Sequence, residues 1–303
     1  MKVKVHVPAT TANLGPGFDV FGAALSLYNE FEAEYVPDSK KTSFVLKGNG
    51  KKSIPKGEKN LFWQSMQKTF KLLGENKYNL KNLNITINTA IPLSGGLGSS
   101  ASAIVGGIVL ANALCTNKLD KTQVADLAVK MEGHPDNVVP ALYGGICICS
   151  KDGDRGAVVQ LPIPKLKVVV CVPAFELRTK RSRQILPKHI DLQDVVFNTS
   201  RVALLTAAFC CSDFELLKAG MQDKIHQPYR EKMVPAMNEV LDAALSCGAY
   251  GACLSGSGPT LAAFCNAKSA LNVQKSMLKR WKKDSVHAKA YILDIDAKGT
   301  MII

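Results

Sequence analysis

Apolar and polar positions alternate over residues 2–7, where Val3, Val5 and Val7 are interleaved with Lys2, Lys4 and His6. A period of two predicts a half-buried strand, not the apolar block of a signal peptide, so the chain is expected to stay in the cytoplasm. Strand-like runs recur at 31–35, 44–46 and 83–88. Between them the period changes: Leu61, Met66, Phe70 and Leu73 are spaced for one face of a helix over 60–73. Residues 101–113, rich in Ala, Gly and Ile, suit a helix buried among neighbours, and Val124, Leu127, Ala128 and Met131 give 121–132 a helical face. Strands return at 145–150 and 167–172, separated by the polar KDGDRG and by LPIPKL with its two prolines. Beyond lie helical stretches at 193–209 and 233–246, the glycine-rich GAYGACLSGSGPTLAAF, and a helix and strand ending in AKAYILDID. Strands and helices do not strictly alternate, which predicts an α+β fold. A chain of 303 residues exceeds what one core usually supports, and a boundary near Pro164 divides it into 1–163 and 164–303.

Composition narrows the function classes. Apolar residues at 47% and charged residues at 21% fit a folded globular chain. The weakly polar run 101–115 is shorter than the ~18–20 residues of a membrane span, and it contains Ser102, Gly106, Gly107 and Asn112. No membrane partner is expected. The nine cysteines are odd in number and lack any C-x-x-C, which argues for free thiols and against zinc. The net charge is +13, and lysines are scattered through 40–59 and 279–283 without interleaved aromatics. With no helix-turn-helix, RNP or zinc-finger pattern, these read as solvated faces, and no nucleic-acid partner is expected.

The strand at 83–88 runs into AIPLSGGLGSSASAIVGG, which starts at Ala90. No lysine occurs between Ala90 and Thr116, so this is not a Walker loop, and Gly95-Gly96-Leu97-Gly98 departs from the dinucleotide fingerprint. The physics shared by both patterns survives. A strand ends, glycines permit close approach to an anion, and a helix begins with unpaired amides. Ser94, Ser99, Ser100 and Ser102 add hydroxyls suited to phosphate oxygens or a magnesium shell. Taken alone, a G-G-x-G is more often a plain turn with a serine N-cap.

Other segments decide. Residues 92–101 fit P-x-x-x-G-L-G-S-S-A and resemble the ATP-binding loop of the GHMP kinases. VPATTANLGPGFDVFGAAL and SGSGPT at 255–260 resemble that superfamily's other motifs, in the same order along essentially the whole chain. EGHPDNVVPALYGG, ELRTKRSRQILP and HQPYR bring the resemblance closest to the homoserine kinase family. It implies the two-domain GHMP kinase fold, with an amino-terminal domain like ribosomal protein S5 domain 2 and a ferredoxin-like carboxyl-terminal domain. It also implies ATP and Mg2+, with L-homoserine, a precursor of threonine, as the small-molecule partner. A homodimer stays open.

The resemblance distributes roles residue by residue. Pro92, Leu93, Ser94, Gly95, Gly96, Leu97, Gly98, Ser99, Ser100, Ala101 and Ser102 fall on the nucleotide loop, and Asn60 on the adenine side, although its local pattern is a plain helix cap. Asn13, Asp19, His134, Asn137, Thr179, Arg183, Arg230 and Gly258 fall on the substrate pocket. From pattern alone Asn13 and Asp19 are turn formers beside a Gly-Pro-Gly, and His134 a surface residue. Asp19 is placed to bind the amino group or hydroxyl, whereas Arg183 and Arg230 suit a carboxylate because a planar guanidinium binds it bidentately. Arg178, Lys180 and Arg181 remain solvated. Asp136 falls where a catalytic base is proposed in mevalonate kinase. Ser100 is the catalytic hydroxyl on magnesium, with Asp126 as the carboxylate by alignment and Glu132 as its rival. Two alternatives stay open: a GHMP-type kinase for another hydroxy acid such as mevalonate, and a nucleotide-binding regulator or basic nucleic-acid binder without turnover.

Overall fold

The computed structural model describes residues 1–37, 39, 41–74, 82–150, 156–177 and 179–303. Arg178 and most of the KDGDRG separator lie outside the described residues.

The first sheet grows from a long antiparallel pair, β1 (Lys2–Ala12) and β2 (Phe21–Tyr35), registered Val3 to Ala33 and Val5 to Phe31. β3 (Ser43–Gly48) runs parallel to β4 (Leu83–Thr89), which pairs antiparallel with β2, and α1 (Leu61–Leu72) connects them. After the glycine loop come α2 (Ser99–Leu114), α3 (Lys121–Glu132) and α4 (Pro135–Tyr143). β5 (Ile146–Cys149) then pairs with the start of β2, and β6 (Val158–Leu161) with β5. The alternation seen at 2–7 and 31–35 marks one solvated face. The first third of β2, FGAAL, is buried on both faces and carries no such alternation, which is why periodicity does not reveal it.

The second sheet contains β7 (Lys167–Pro173), β8 (Ala249–Leu254), β9 (Leu261–Cys265) and β10 (Ala288–Asp294), all antiparallel in the order β10-β7-β9-β8. That is the ferredoxin-like order. Between β7 and β8 lie α5 (Thr179–Gln184), α6 (Leu192–Cys210), α7 (Leu217–Gly220), α8 (Gln227–Arg230) and α9 (Met237–Ser246), and α10 (Ala270–Lys283) precedes β10. The last strand, β11 (Met301–Ile302), leaves this half and pairs with β1, Val5 opposite Ile302. The division at 163/164 therefore does not hold for the chain's final residues, which complete the first sheet. Among the described residues no helix is long and apolar enough to cross a membrane.

Three apolar clusters hold these layers. In the first, α2 is buried nearly all round, as its Ala/Gly/Ile composition predicts, between α1 and the sheet, and Phe31 stacks on Phe62 at 4.7 Å. A Cβ at Gly107 would come within 2.5 Å of the Phe62 carbonyl, so the approach of α2 to α1 requires glycine there. The second cluster joins the halves: Ala9, Leu14, Phe21 and Leu25 pack with Val168, Val170, Phe209 and Phe264. The third packs α9 and α10 under the second sheet, with Trp281 fully buried. The shared second cluster fixes the two halves across the cleft that lies above it.

Candidate active site

Four chain segments meet at this cleft. The first is the turn after β1, which runs through Asn13, Gly15 and Asp19 at positive φ of 70°, 86° and 58°. A Cβ at Gly15 would overlap the Met221 carbonyl at 2.3 Å. Asn13 is buried and holds the turn closed: its Nδ2 donates to the Gly256 carbonyl at 2.9 Å, and its Oδ1 accepts from the Asp19 amide at 3.1 Å. This local strain presents the Asp19 carboxylate to the cleft.

The glycine loop is the second segment. Three successive carbonyls of the loop are engaged by neighbouring segments: Gly95 O with the Thr260 amide (3.2 Å), Gly96 O with Ser255 Oγ (2.6 Å) and Leu97 O with the Thr10 amide (3.2 Å). Gly96 and Gly98 lie at φ 80° and 67°, and an added Cβ would fall 2.4 Å from the Ser255 carbonyl and 1.9 Å from Thr10 Oγ1. Only glycine fits so close a seam. Gly98 caps α2 without any side-chain bond, so the first amides of a 16-residue helix open beside Ser99 and Ser100.

Third is the α3–α4 junction. Gly133, at φ 96°, ends α3, and His134 caps α4 with Pro135 in its first turn. Glu132 comes to the start of α2, where its Oε1 accepts from Ser100 Oγ at 2.6 Å. Asp126 is exposed on α3 and does not line the cleft. Of the two carboxylates weighed for the metal, only Glu132 is therefore beside Ser100, because Asp126 lies earlier on the helix and on another face. Asp136 is 2% exposed, with Oδ1 at 2.5 Å from His134 Nδ1 and 3.3 Å from Asn137 Nδ2. Thr10 Oγ1 donates to Asn137 Oδ1 at 2.7 Å.

The second half supplies the fourth wall, from α5, α8 and the segment around Ser257. Thr179 Oγ1 is 3.3 Å from Ser257 Oγ. Arg183, on α5, forms a bidentate pair with Asp19 (Nη1–Oδ2 3.0 Å, Nη2–Oδ1 2.6 Å). Two residues assigned to opposite ends of a substrate thus neutralise each other. Arg230, on α8, is 1% exposed and lines the cleft. Phe18, between Asn13 and Asp19 in the turn, lies 5.3 Å from both guanidinium groups.

Together these segments bound a cleft of about 400 Å³, polar at the Asp19–His134–Arg183 end and apolar near Phe31, Ile54, Phe62 and Ile87. Pro92, Leu97, Ala101, Ser102 and Gly258 do not line it, although their segments do. Ala101 and Leu97 are core residues, and Ser102 bonds Asn29 Nδ2 at 2.8 Å and the Ser99 carbonyl at 2.9 Å. Asn60 lines the apolar end, where its side chain accepts from the Trp63 amide and donates to the Pro55 carbonyl. It is both a helix cap and a cleft residue.

Comparisons with known proteins agree with this architecture. Residues 60–145 match the GHMP kinases N terminal domain and 203–283 the GHMP kinases C terminal domain. A homoserine kinase of Desulfitobacterium hafniense is 42% identical over 99% of this chain and 100% of its own length. One from Carboxydothermus hydrogenoformans is 47% identical over 86% of this chain and 84% of its own. The chain belongs to the homoserine kinase family. The crystal structure of homoserine kinase from Cytophaga hutchinsonii superposes with a TM-score of 0.90 at 32% identity, covering 100% of this chain and 97% of that one. That of L. major mevalonate kinase in complex with R-mevalonate, at 17% identity and a TM-score of 0.76 over 97% and 96% of the two chains, shares the fold.

For a homoserine kinase family member, two features of this cleft were silent in the sequence. Asn29 is 1% exposed, and its Oδ1 accepts from the amides of Ala90 and Ile91 while its Nδ2 donates to Ser102, so one side chain anchors both ends of the glycine loop. Lys59, beside Asn60, lines the apolar end. Neither belongs to a recognisable motif.

Electrostatics separate the ionisable groups. Burial alone would push the His134 imidazole down, but the bond and charge of Asp136 outweigh it and raise the pKa above 6.5. The bond to Asp19 raises Arg183 further, whereas burial, aided by the Arg183 charge, brings Arg230 down to about 10. For His134, a folded value above the unfolded one stabilises the protein fully below pH 6.5, and that contribution is lost as pH rises through the folded value. By NMR titration, His134 will titrate above an ordinary histidine in the wild type and distinctly lower in Asp136→Asn, where the bond and charge that outweigh burial are gone and only the charge of Glu132 still opposes it. Identical titrations would contradict the pairing.

Proposed function

We propose that the protein transfers the γ-phosphoryl group of ATP to the side-chain hydroxyl of L-homoserine, giving ADP and O-phospho-L-homoserine. One juxtaposition carries this reading: the amides opening α2 share a cleft with a carboxylate, two guanidinium groups and the His134–Asp136 pair. The amides suit a triphosphate, and the apolar end beside Asn60 suits a base. At the other end a zwitterionic amino acid matches Asp19 with its ammonium and the arginines with its carboxylate, replacing the Asp19–Arg183 pair by contacts of both signs.

Ser100 and Glu132 fit a magnesium ion, because a hydroxyl and a carboxylate oxygen, both hard donors, meet 2.6 Å apart beside the phosphate cradle. A magnesium ion held there would supply charge neutralisation to the triphosphate. The chain's own work is positioning. Asp136 uses Oδ1 toward His134 and Asn137, leaving Oδ2 to receive the hydroxyl proton of homoserine as the oxygen bonds to phosphorus. Phosphoryl transfer needs little proton movement before the transition state, so holding the hydroxyl in line matters more than basicity. Burial pushes the thiols of Cys147, Cys171 and Cys253 up to about 12, which makes them poor nucleophiles at neutral pH and leaves them no role in the reaction.

Coupled ADP release with magnesium and ATP tests the reading, offering L-homoserine, L-threonine, L-serine and mevalonate at matched concentrations. Homoserine is expected to give the highest kcat/KM by more than about tenfold, a margin of about 1.4 kcal/mol. Preference for mevalonate, or turnover of none, would overturn it. In the same assay Glu132→Gln is expected to lose roughly 100-fold in kcat and Asp126→Asn to stay within about twofold of wild type. The reverse order would return the metal role to Asp126.

A further inference from the structure

The HQPYR segment holds a histidine that the proposed chemistry does not use. His226 is fully buried, as is Arg230 one helical turn later, and a buried pair of this kind requires partners for every polar atom. The ring has them. His226 Nε2 lies 2.6 Å from the Gly15 carbonyl oxygen, and Nδ1 lies 3.2 Å from Arg230 Nη1.

These two contacts fix the proton. A carbonyl can only accept, so Nε2 carries the hydrogen, and a guanidinium can only donate, so Nδ1 presents its lone pair. The ring is therefore neutral. Burial, with the Arg230 charge, also disfavours the imidazolium. The neighbouring Asp223, 3.5 Å from Nε2, does not reverse this, since it accepts from the amides of Ile225, His226 and Gln227 and from Asn198 Nδ2. Phe18 covers the ring at 5.3 Å between centroids.

Arg230 is held by three contacts. Nε donates to the Ser182 carbonyl at 3.3 Å, and Nη1 donates to His226 Nδ1 and to the Gly256 carbonyl at 3.0 Å. Among its five N–H groups this leaves the two on Nη2 for a ligand in the cleft that Arg230 lines. The bidentate grip expected of Arg230 is thus engaged by the protein, and what it offers a carboxylate is one amino group at a fixed angle. His226 also joins the halves of the molecule, since Gly15 belongs to the turn that carries Asp19. The groups suited to the ammonium and the carboxylate of an amino acid are held in register through one ring.

We propose that His226 is a positioning residue for substrate recognition: its neutral ring, bonded to Gly15 and Arg230, aims Arg230 Nη2 at the substrate carboxylate and sets its distance from Asp19. The proposal rests on the reading of the cleft as an amino-acid site. Two variants and one spectrum test it. His226→Phe keeps the ring's bulk but removes both bonds, whereas His226→Gln offers an Nε2 donor and an Oε1 acceptor in their place. His226→Phe is expected to raise KM for L-homoserine roughly 30-fold while leaving KM for ATP within about twofold, and His226→Gln to recover homoserine KM to within about fivefold of wild type. An unchanged homoserine KM in His226→Phe, or an equal rise for both substrates in both variants, would overturn the proposal. Nitrogen-15 NMR of the wild-type imidazole gives a readout independent of turnover. His226 is expected to show a protonated Nε2 and a bare Nδ1 throughout about pH 5 to 8. The opposite tautomer, or an imidazolium, would refute the geometry. Wild-type enzyme inactive on homoserine would instead overturn the substrate reading, and the spectrum would still decide the ring's role.

Discussion

The structure depends on a seam in which the glycine loop is pressed between β1 and the segment 255–260. Three loop carbonyls are tied to Thr260, Ser255 and Thr10, and the two positive-φ glycines lie closer to Ser255 and Thr10 than any side chain would allow. With these three acceptors engaged, the loop delivers the opening amides of α2 to the cleft without a lysine. A P-loop reaches the phosphates with a point charge, whereas in the proposed reading the opening amides of a buried 16-residue helix and two serines meet them, and Glu132 would act only through a magnesium ion. The same seam binds one half of the chain to the other, so the proposed nucleotide and substrate ends of the cleft are set by one contact.

Recognition of the small molecule follows from a second constraint, the burial of charge. Arg230 is almost fully buried, and Arg183 is paired to Asp19. A buried guanidinium is tolerable only when its donors are occupied, and the carbonyls of Ser182 and Gly256 with the ring of His226 meet most of that demand. What remains unsatisfied is small and directional, the Nη2 amino group that the proposed reading gives to a substrate carboxylate. The strongly basic balance of +13 adds a field that favours anions, and Lys47, Lys51, Lys52, Lys56 and Lys59 lie on the segment leading to the apolar end of the cleft.

Much of this was legible in the sequence. The loop glycines, the serine pair, the turn through Asn13 and Asp19 and the arginines all announce themselves by motif, and α3 has the bounds that its apolar spacing predicts. The rest was silent for physical reasons. Periodicity reports which residues are buried, not what they touch, so Asn29 and His226 were invisible as anchors. The doubly buried start of β2 lacks alternation, and α4 was masked by Pro135 and Pro140. Asp126 and Glu132 could be separated only once the packing of α3 beside α2 brought the Glu132 carboxylate to Ser100 and left Asp126 exposed. Nor does any local signal announce that the final strand returns to β1, because two residues carry too little pattern.

The most direct measurement of the central claim is an equilibrium titration of magnesium ADP into wild-type protein and Gly98→Ala, with far-UV circular dichroism as the control for folding. A pinned loop that presents its amides predicts that the added methyl, meeting Thr10 Oγ1 at 1.9 Å, weakens ADP binding by roughly tenfold or more while the fold is retained. Equal affinity in the two proteins would mean that the phosphates are held elsewhere.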